Sequence, residues 1–441
     1  MTMYEIIIGR SEADRAKFGL KGTILLGKHY VRMGQTTSLS SSIYLDVNRS
    51  HVVFVVGKRG SGKSYSLGVI AEGITNLPKE ISRNLSVVIF DTMGIFWTMK
   101  YPNIKDRELL KEWDLEGKGF DVQIYTPVGF FEGFRKKGIP TDFPFSLKPG
   151  ELAPSDWCMT FNIDVNSEPG VLIERVINRL RKSKKDFSIE DIIEAVHADR
   201  KSETKVKDVV ENQFLKTEGW GLFSEKATPI KDLASPGKVT ILDISCYATV
   251  PGTWSIRSLV IGIISQKLFM ERMVARKAEE YSALHKATRY FAEEETAEKK
   301  MPMVWLFLDE AHEFLPNTGK TDATDALVTI LREGREPGIS LVLASQQPGK
   351  IHTDVMTQAD VVLSHRLTAR LDVESLGTLM QSYMRKGLDA ELNQLPRVAG
   401  AGIIFDDMNE RIYPMQVRPR ITWHGGAAPI AIREIKKSFG F

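Results

Sequence analysis

Runs of about five apolar residues recur along the chain and alternate with segments whose apolar residues have helical spacing. Because each run is apolar at nearly every position, it is typical of a strand buried on both faces of a parallel sheet. The strand-like runs are residues 51–56, 85–90, 122–125, 238–243, 304–308, 339–344 and 361–363. Strands that alternate with helices in this way predict an α/β fold with a mostly parallel sheet.

The pattern changes in two regions and divides the chain. Three short strand-like runs at 4–9, 22–27 and 42–47, bounded by Gly and Ser, predict a small N-terminal β module. Residues 165–235 have helical spacing, which predicts a helical insertion, although ordinary crossover helices would give the same pattern. The predicted units are 1–47 (β module), 48–164 (first part of the core), 165–235 (helical insertion), 236–417 (second part of the core) and 418–441 (basic C-terminal tail).

Two elements of the second core part stand out. A long helix is expected from about residue 255, and its continuation over 271–300 is rich in Ala, Glu, Lys and Arg. That continuation is interpreted as a solvated extension, with a docking surface for a partner as the alternative. Residues 401–405 and 412–417 predict a terminal hairpin.

Composition narrows the class of protein without identifying a partner. The chain has 441 residues, and its 59 Lys and Arg nearly balance 56 Asp and Glu. The net charge of +3 does not decide whether nucleic acid is bound, because basic residues that line only a channel would leave the same balance. Cys158 and Cys246 lie far apart, which predicts a reduced compartment. The sequence has no run of 18 apolar residues and no signal peptide, so we expect a cytoplasmic protein without a membrane span.

Residues 57–64 read GKRGSGKS and match the GxxxxGK[ST] pattern of a phosphate-binding loop. A predicted strand precedes the loop and a predicted helix over 66–76 follows it, which is the context that the motif requires. Backbone N–H groups of such a loop point at phosphate oxygens, Lys63 reaches the β- and γ-phosphates, and the Ser64 hydroxyl binds Mg²⁺. A chance match in a Gly-rich turn is the alternative. The predicted nucleotide-binding residues are Gly57, Arg59, Gly60, Ser61, Gly62, Lys63, Ser64 and Tyr65.

The run 304–308 ends in two acids, Asp309 and Glu310. Open α/β sheets bind ligands at the carboxyl ends of their strands, so this tip is a candidate site. We expect Asp309 to bind magnesium together with Ser64, and Glu310 to act as the general base towards the attacking water. An acidic helix N-terminus is the alternative. At least two predicted strands separate the loop from Asp309 in sequence, so the acidic strand is not the one that directly follows the loop. ATPases that use a catalytic glutamate have one strand between the two in the sheet, and we expect the same arrangement here.

Two further side chains complete the predicted catalytic set of Lys63, Glu310, Gln346 and Arg335. Gln346 follows the run 339–344 and is expected to sense the γ-phosphate or to position water. Arg335 lies at a predicted helix end, and a guanidinium is always ionised and forks to two phosphate oxygens. A loop glutamine and a cation that interacts with the helix C-terminus are the alternatives.

Together these motifs resemble the HerA/FtsK superfamily of ring-shaped DNA-pumping ATPases, and its HerA members most. The matching stretches are GKRGSGKS at 57–64, KVTILDIS at 238–245, WLFLDEAHEFLP at 305–316, REGREPGISLVLASQQP at 332–348 and VRPRITWHGG at 417–426. The resemblance implies a RecA-like P-loop NTPase core, ATP and Mg²⁺ as cofactors, and a homo-hexamer around double-stranded DNA. It also implies that Arg335 is an arginine finger towards the neighbouring subunit's nucleotide. The segment DTMGIF at 91–96 departs from the family's DPHGEY-like pattern.

The resemblance favours an ATP-hydrolysing DNA translocase that assists DNA end processing or a partner nuclease. An ATP-dependent assembly or regulatory subunit of an effector complex, such as an antiphage defence system, is the alternative. A conjugation- or secretion-type motor lacks support because no membrane anchor is evident, and a small-molecule kinase is disfavoured by the acid pair. Lys320, in the loop after the acidic strand, is a candidate DNA contact, with a solvated loop lysine as the alternative.

Overall fold

The structure is a computed structural model that describes residues 5–33, 36–183, 186–248, 254–288, 301–367, 370–379, 392 and 394–426. The strands within these residues are β1 (Ile6–Ile8), β2 (Thr23–Met33), β3 (Thr36–Asp46), β4 (Val52–Val56), β5 (Leu85–Asp91), β6 (Val122–Pro127), β7 (Phe143–Phe145), β8 (Val239–Asp243), β9 (Met303–Leu308), β10 (Ile339–Ser345), β11 (Val361–His365), β12 (Ala401–Asp406) and β13 (Arg411–Val417). The α-helices are α1 (Glu12–Phe18), α2 (Lys63–Thr75), α3 (Lys79–Ser82), α4 (Arg107–Glu112), α5 (Val128–Lys136), α6 (Pro154–Thr160), α7 (Glu168–Ser183), α8 (Ile189–His197), α9 (Thr204–Lys216), α10 (Ile230–Leu233), α11 (Trp254–Thr288), α12 (Thr324–Glu333), α13 (Thr353–Gln358) and α14 (Arg370–Leu379).

All of these strands join one sheet, in the order β1-β3-β2-β13-β12-β11-β4-β10-β9-β5-β8-β6-β7. Each neighbouring pair from β11 to β7 is parallel, whereas β11 with β12, β12 with β13, β13 with β2, and β2 with β3 are antiparallel. The prediction of an α/β fold with a mostly parallel sheet is therefore confirmed. The predicted terminal hairpin is also confirmed, as β12 and β13.

The central strands are buried on both faces, and β4 shows this most simply. Phe54 and Val56 pack into the apolar cluster that includes α7 and α11, while Val53 and Val55 pack into the cluster that includes α2. Both faces of the sheet therefore need apolar side chains. This requirement explains why the strands read as continuous apolar runs and not as alternating ones.

The N-terminal strands extend the same sheet. β2 and β3 form a hairpin, and β13 pairs with β2 so that Met415 lies opposite His29. Both strands are longer than the apolar runs predicted, because residues 30–33 pair with 36–39 in a two-stranded ribbon beyond those runs. Residues 38–40 are exposed, so this part of the ribbon carries no apolar pattern that could predict it. The division into a module, a core and an insertion stays a prediction.

The helices between β7 and β8 follow the predicted spacing, with α7, α8 and α9 close to the expected segments. A capping box starts α8: the Ser188 hydroxyl accepts from the Asp191 N–H at 3.2 Å, and the Asp191 carboxylate accepts from the Ser188 N–H at 3.0 Å. The remainder of the expected extension of α11, 289–300, and tail residues 427–441 lie outside the described residues. Across the described part of the chain, no helix has both the length and the apolar character needed to cross a membrane.

A buried carboxylate holds the segment after β13 against α2. Glu72 is fully buried, and its oxygens accept hydrogen bonds from Arg418 at 3.1 Å and from Arg420 at 2.8 Å. They also accept from the main-chain N–H groups of Ile421 at 3.0 Å and Thr422 at 3.2 Å. Burial alone would raise the pKa of Glu72, but the two arginines and the Thr422 hydroxyl outweigh it and lower that pKa. The helix that carries Lys63 and Ser64 is thus fixed to residues more than 340 positions away.

We predict that Glu72→Ala destabilises the protein by about 3–5 kcal/mol, because it leaves two buried guanidinium groups without their carboxylate. Urea unfolding measures the loss. Glu80→Ala is the matched control, since Glu80 and Lys21 form an exposed ion pair at 3.6 Å and its loss should change stability by no more than about 1 kcal/mol. Equal effects of the two variants would contradict a special role for Glu72.

A buried histidine connects the N-terminal strands to the core. His51 Nδ1 lies 2.6 Å from a carboxylate oxygen of Asp360, and Nε2 lies 3.4 Å from one of Asp46, which also pairs with Arg10. Burial alone would lower the pKa of His51, but the hydrogen bonds to Asp360 and Asp46 outweigh it and raise the pKa to about 9. The imidazole is therefore charged at neutral pH and joins the end of β3 to the residue before β11.

This raised pKa predicts a specific loss of stability in alkali. Because the folded-state pKa of His51 exceeds its ordinary value of 6.5, the stabilisation is complete below about pH 6.5 and is lost as the pH rises through about 9. Asp360→Asn keeps an acceptor for the Val52 N–H, which donates to Asp360 at 2.9 Å, but removes the charge. Urea unfolding across this pH range measures how the free energy of unfolding changes with pH. That change should be smaller in Asp360→Asn than in the wild type, and an identical change in the two proteins would exclude the His51–Asp360 pair as the cause.

Candidate active site

The predicted phosphate-binding loop connects β4 to α2 and has the backbone that an anion site needs. Gly60 has φ 75° and Gly62 has φ 111°, conformations that other residues rarely adopt. Gly62 is also the N-cap of α2 and supplies no side chain to cap the helix. The first N–H groups of α2 are therefore directed into the loop, together with the positive end of the helix dipole.

Lys63 lies within this loop and faces the acidic strand. Its side chain is 5% exposed, and its ammonium donates to the carbonyl of Lys58 at 3.3 Å. Burial lowers the pKa of Lys63, while the nearby carboxylates of Glu310 and Asp309 act in the opposite direction. The ammonium is thus held inside the loop near two acids, where it can move onto a phosphate group.

The structure brings the two predicted metal-binding residues into direct contact. The Ser64 hydroxyl donates to a carboxylate oxygen of Asp309, and the other oxygen of Asp309 accepts from the Glu310 N–H at 2.9 Å. Burial raises the pKa of Asp309, and the hydrogen bond from Ser64 partly offsets this effect. A hydroxyl and a carboxylate that converge in this way are oxygen ligands of the kind that Mg²⁺ prefers.

Glu310 is held in an unusual conformation beside Gln346. Its φ is 50°, in the left-handed region, although it is not a glycine. Gln346 donates from its side-chain amide to one carboxylate oxygen of Glu310. The other oxygen, Oε2, is buried and has no hydrogen-bond partner among the described residues. A buried, unsatisfied carboxylate oxygen next to the loop is suited to accept a proton or a water molecule.

Sequence reasoning missed His312, which lies next to this carboxylate. Its Nδ1 is 3.6 Å from Glu310 Oε2 and 3.1 Å from the hydroxyl oxygen of Ser345. Burial lowers the pKa of His312, and the positive charges of Lys350 and Lys63 add to the effect. The imidazole is therefore neutral near pH 7. Its place two residues after Glu310, in the sequence DEAH at 309–312, was the signal available in the sequence.

The strand order places all of these groups at one edge of the sheet. β10 lies between β4 and β9, which confirms the expected intervening strand. Both pairs are parallel, with Ser345 opposite Val56 and Leu343 opposite Leu308. The loop, Asp309 and Gln346 therefore all follow the carboxyl ends of neighbouring strands, where ligands bind in open α/β sheets.

A second acidic pair lies on the next two strands and has a structural role. Asp91 and Asp243 end β5 and β8 in matching register. Asp91 accepts from the N–H groups of Gly94 at 2.7 Å and Phe96 at 2.8 Å, which closes the turn at 91–96. Burial, together with the charge of Asp243, raises the pKa of Asp91 to about 7. In the segment that departs from the family pattern, this acid thus shapes the backbone.

Four of the predicted residues lie apart from this cluster. Tyr65 turns its hydroxyl away from the loop, accepting from the Arg420 N–H at 2.6 Å, so only its backbone can contact a phosphate. Arg59 is exposed on the loop. Lys320 is exposed and pairs with Asp325 at 2.8 Å. Arg335 is exposed before the amino end of β10, whereas the loop lies at the carboxyl ends of the strands.

The fold and the loop together define the class of this protein as a P-loop NTPase. Residues 30–251, just over half of the chain, match the family described as the central domain of helicase HerA. The chain therefore belongs to the HerA central-domain family.

Two curated proteins are similar to this chain in sequence, and one solved structure is similar to it in fold. The DNA double-strand break repair helicase HerA of Pyrococcus furiosus is 27% identical over 140 residues, covering 30% of this chain and 24% of that protein. The probable DNA double-strand break repair helicase HerA of Methanocaldococcus jannaschii is 42% identical over 57 residues, covering 13% of this chain and 11% of that protein. The chain thus matches about a quarter or less of each relative's length. The structure of VirB4 of Thermoanaerobacter pseudethanolicus shares the fold, with a TM-score of 0.53, 12% identity, and coverage of 90% of this chain and 96% of that one.

The site predicts different outcomes for two substitutions. Lys63→Ala should abolish ATP binding, because the ammonium is lost from the phosphates. Glu310→Gln keeps the shape of the side chain but removes the base, so ATP should bind while turnover falls by about 10²–10⁴-fold. Binding of a fluorescent ATP analogue and release of phosphate measure the two effects. Glu333→Gln, the same change at an exposed position on α12, is the control and should behave as the wild type. Normal turnover by Glu310→Gln would reject Glu310 as the base.

Proposed function

We propose that this protein hydrolyses ATP and uses the energy to move double-stranded DNA through a ring of six identical subunits. The observation that carries the proposal is the assembly of loop, acid pair and Gln346 at one edge of the sheet in a member of the HerA central-domain family. A role beside a partner nuclease in DNA end processing is part of the proposal.

The nucleotide binds with its phosphates in the loop 57–64. The backbone N–H groups of the loop and of the first turn of α2 donate to phosphate oxygens, and Lys63 pairs with the β- and γ-phosphates. The hydroxyl oxygen of Ser61 is buried in the loop and has no hydrogen-bond partner among the described residues. An unsatisfied donor at this position fits a site that is completed by a phosphate group.

Ser64 and Asp309 would hold the magnesium ion that accompanies the nucleotide, since their oxygens already converge. When bound, the ion neutralises charge on the β- and γ-phosphates. The ion would replace the direct hydrogen bond between Ser64 and Asp309, and the burial of Asp309 strengthens its attraction to a cation.

Glu310 orients the attacking water and takes its proton. Gln346 now occupies one oxygen of Glu310, and a γ-phosphate would compete for that amide, because both accept hydrogen bonds. Transfer of the amide from Glu310 to the γ-phosphate would free the base when the nucleotide is in place. Glu310 is therefore available as the base only when a nucleotide is bound.

Arg335 acts on the nucleotide of the neighbouring subunit. It precedes β10, whose seven residues span about 20 Å, so it cannot reach the loop at the other end of its own subunit. The exposure of Arg335 and its distance from the loop of its own subunit support a role across a subunit interface. An arginine that acts in this way can contribute roughly 10³-fold or more to turnover.

The proposal predicts that double-stranded DNA stimulates ATP hydrolysis, and that stimulation grows with duplex length until one ring is filled. Because the contacts are made to phosphates, DNA affinity should fall steeply with salt and depend little on sequence. If Lys320 contacts a phosphate, Lys320→Ala should lower the slope of log affinity against log salt concentration by about one. Filter binding and phosphate release over a salt series measure these effects.

Asp325→Ala is the control for Lys320, because it removes the ion-pair partner and leaves the lysine in place. An unchanged slope in Lys320→Ala would remove this residue from the DNA contact. A strong preference for one DNA sequence, or no stimulation by DNA of any length, would contradict the translocase and favour an assembly or regulatory subunit.

A mixing experiment tests the role of Arg335. Lys63→Ala and Arg335→Ala should each be inactive alone, yet a mixture that exchanges subunits should recover part of the ATPase activity. Mixed rings contain some sites in which an intact loop faces an intact arginine. If exchange is shown by labelled subunits and the mixture stays inactive, Arg335 does not act between subunits.

A further inference from the structure

A buried histidine lies directly under the phosphate-binding loop, and the predicted catalytic set does not include it. His365 is the last residue of β11, which pairs in parallel with β4 so that Ser364 lies opposite Val56. His365 therefore lies beside Gly57, the first residue of the loop, and its side chain is fully buried. The next loop residue, Lys58, donates its N–H to the carbonyl of Arg366 at 3.5 Å.

The side chain of His365 lies against the loop close to two of its glycines. A Cβ atom on Gly57 would lie 2.8 Å from the Cβ of His365 and 2.3 Å from the hydroxyl oxygen of Ser61. Gly57 is therefore required because the backbone passes between Ser61 and His365. A Cβ atom on Gly62 would lie 3.7 Å from the His365 ring, an ordinary van der Waals distance, so the ring lies near both ends of the loop.

Two hydrogen bonds fix the imidazole and its tautomer. Nδ1 lies 3.2 Å from the carbonyl oxygen of Ala401, which can only accept, so Nδ1 carries the proton. Nε2 is then an acceptor, and the hydroxyl of Ser66, in the first turn of α2, donates to it at 2.9 Å. Burial lowers the pKa of His365 to about 4, so the ring is neutral at physiological pH.

We propose that His365 is a positioning residue that preorganises the phosphate-binding loop for the nucleotide by tying the start of α2 to β11 and β12. The inference rests on the proposed function, because the loop must bind ATP for its preorganisation to matter. The loop contains two glycines with positive φ, and ordering such a backbone upon binding is costly unless it is already held. The pair of His365 and Ser66 holds it before the nucleotide arrives.

Three variants separate the two hydrogen bonds. His365→Asn keeps an amide that can donate to Ala401 but is too short to reach Ser66. His365→Gln is long enough to accept from the Ser66 hydroxyl. Ser66→Ala deletes only the hydroxyl and leaves the histidine, so it carries the test even if a substitution of the buried ring prevents folding.

The dissociation constant for Mg·ATP, measured by displacement of a fluorescent analogue, is the readout. His365→Asn and Ser66→Ala should each weaken binding about tenfold, and the double variant should be no weaker than either, because both remove the same interaction. His365→Gln should restore most of the affinity. Turnover at saturating ATP should change little, because Glu310 and Asp309 are untouched.

Ser340→Ala is the control for simple destabilisation. The Ser340 hydroxyl is also fully buried and accepts from the His51 N–H at 3.1 Å, but it lies near the other end of β10 from the loop. Its removal should lower the thermal midpoint about as much as Ser66→Ala does and leave ATP affinity unchanged. If the affinity for ATP falls in proportion to the fall in thermal midpoint in all variants, Ser340→Ala included, the positioning role is wrong.

The outcomes distinguish this inference from the proposed function. If wild-type protein binds Mg·ATP and both single variants bind it equally well, the positioning role is wrong and the ATPase proposal stands. Additive losses in the double variant would show that His365 and Ser66 do not act as one unit. If the wild type itself binds no ATP, the proposed function fails.

Discussion

β10 lies parallel between β4 and β9, and this strand order determines how the loop, the acid pair and Gln346 come together. Strands lie about 4.8 Å apart, so the acid pair is about 10 Å from the strand that leads into the loop. The start of α2 crosses that gap, which allows the Ser64 hydroxyl to reach Asp309. The interposed strand also supplies Gln346 between loop and acid pair. A register shift of one residue in β10 would turn the side chains of β10 to the other face of the sheet and displace Gln346, which directly follows the strand.

The site contains several groups in unfavourable states, and buried polar networks elsewhere offset them. Glu310 has left-handed backbone geometry and one unsatisfied oxygen, and Ser61 has an unsatisfied hydroxyl. Strain and unsatisfied polar atoms of this kind persist where the surrounding structure holds them firmly. Here Glu72 fixes α2 from one side, and His51 fixes the start of β4 from the other. The networks that stabilise the fold therefore also hold α2 and β4, the two elements that the phosphate-binding loop connects.

The central strands, the loop and the acid pair could be predicted because their signals are local. A strand buried on both faces must be apolar throughout, and the loop needs glycines at fixed positions before Lys63 and Ser64. The partners of Glu72 and His365 could not be predicted in this way, since Arg420 is 348 positions from Glu72 and His365 is 299 from Ser66. The outer part of the hairpin of β2 and β3 could not be predicted, because residues 30–33 and 36–39 form no continuous apolar run.

If this chain couples ATP hydrolysis to movement along DNA, it should displace the third strand from a DNA triplex. We expect release of the third strand only with hydrolysable ATP, after a delay that grows with its distance from the duplex end, and no release by Glu310→Gln. Rapid ATP hydrolysis on the same duplex without release of the third strand would contradict translocation.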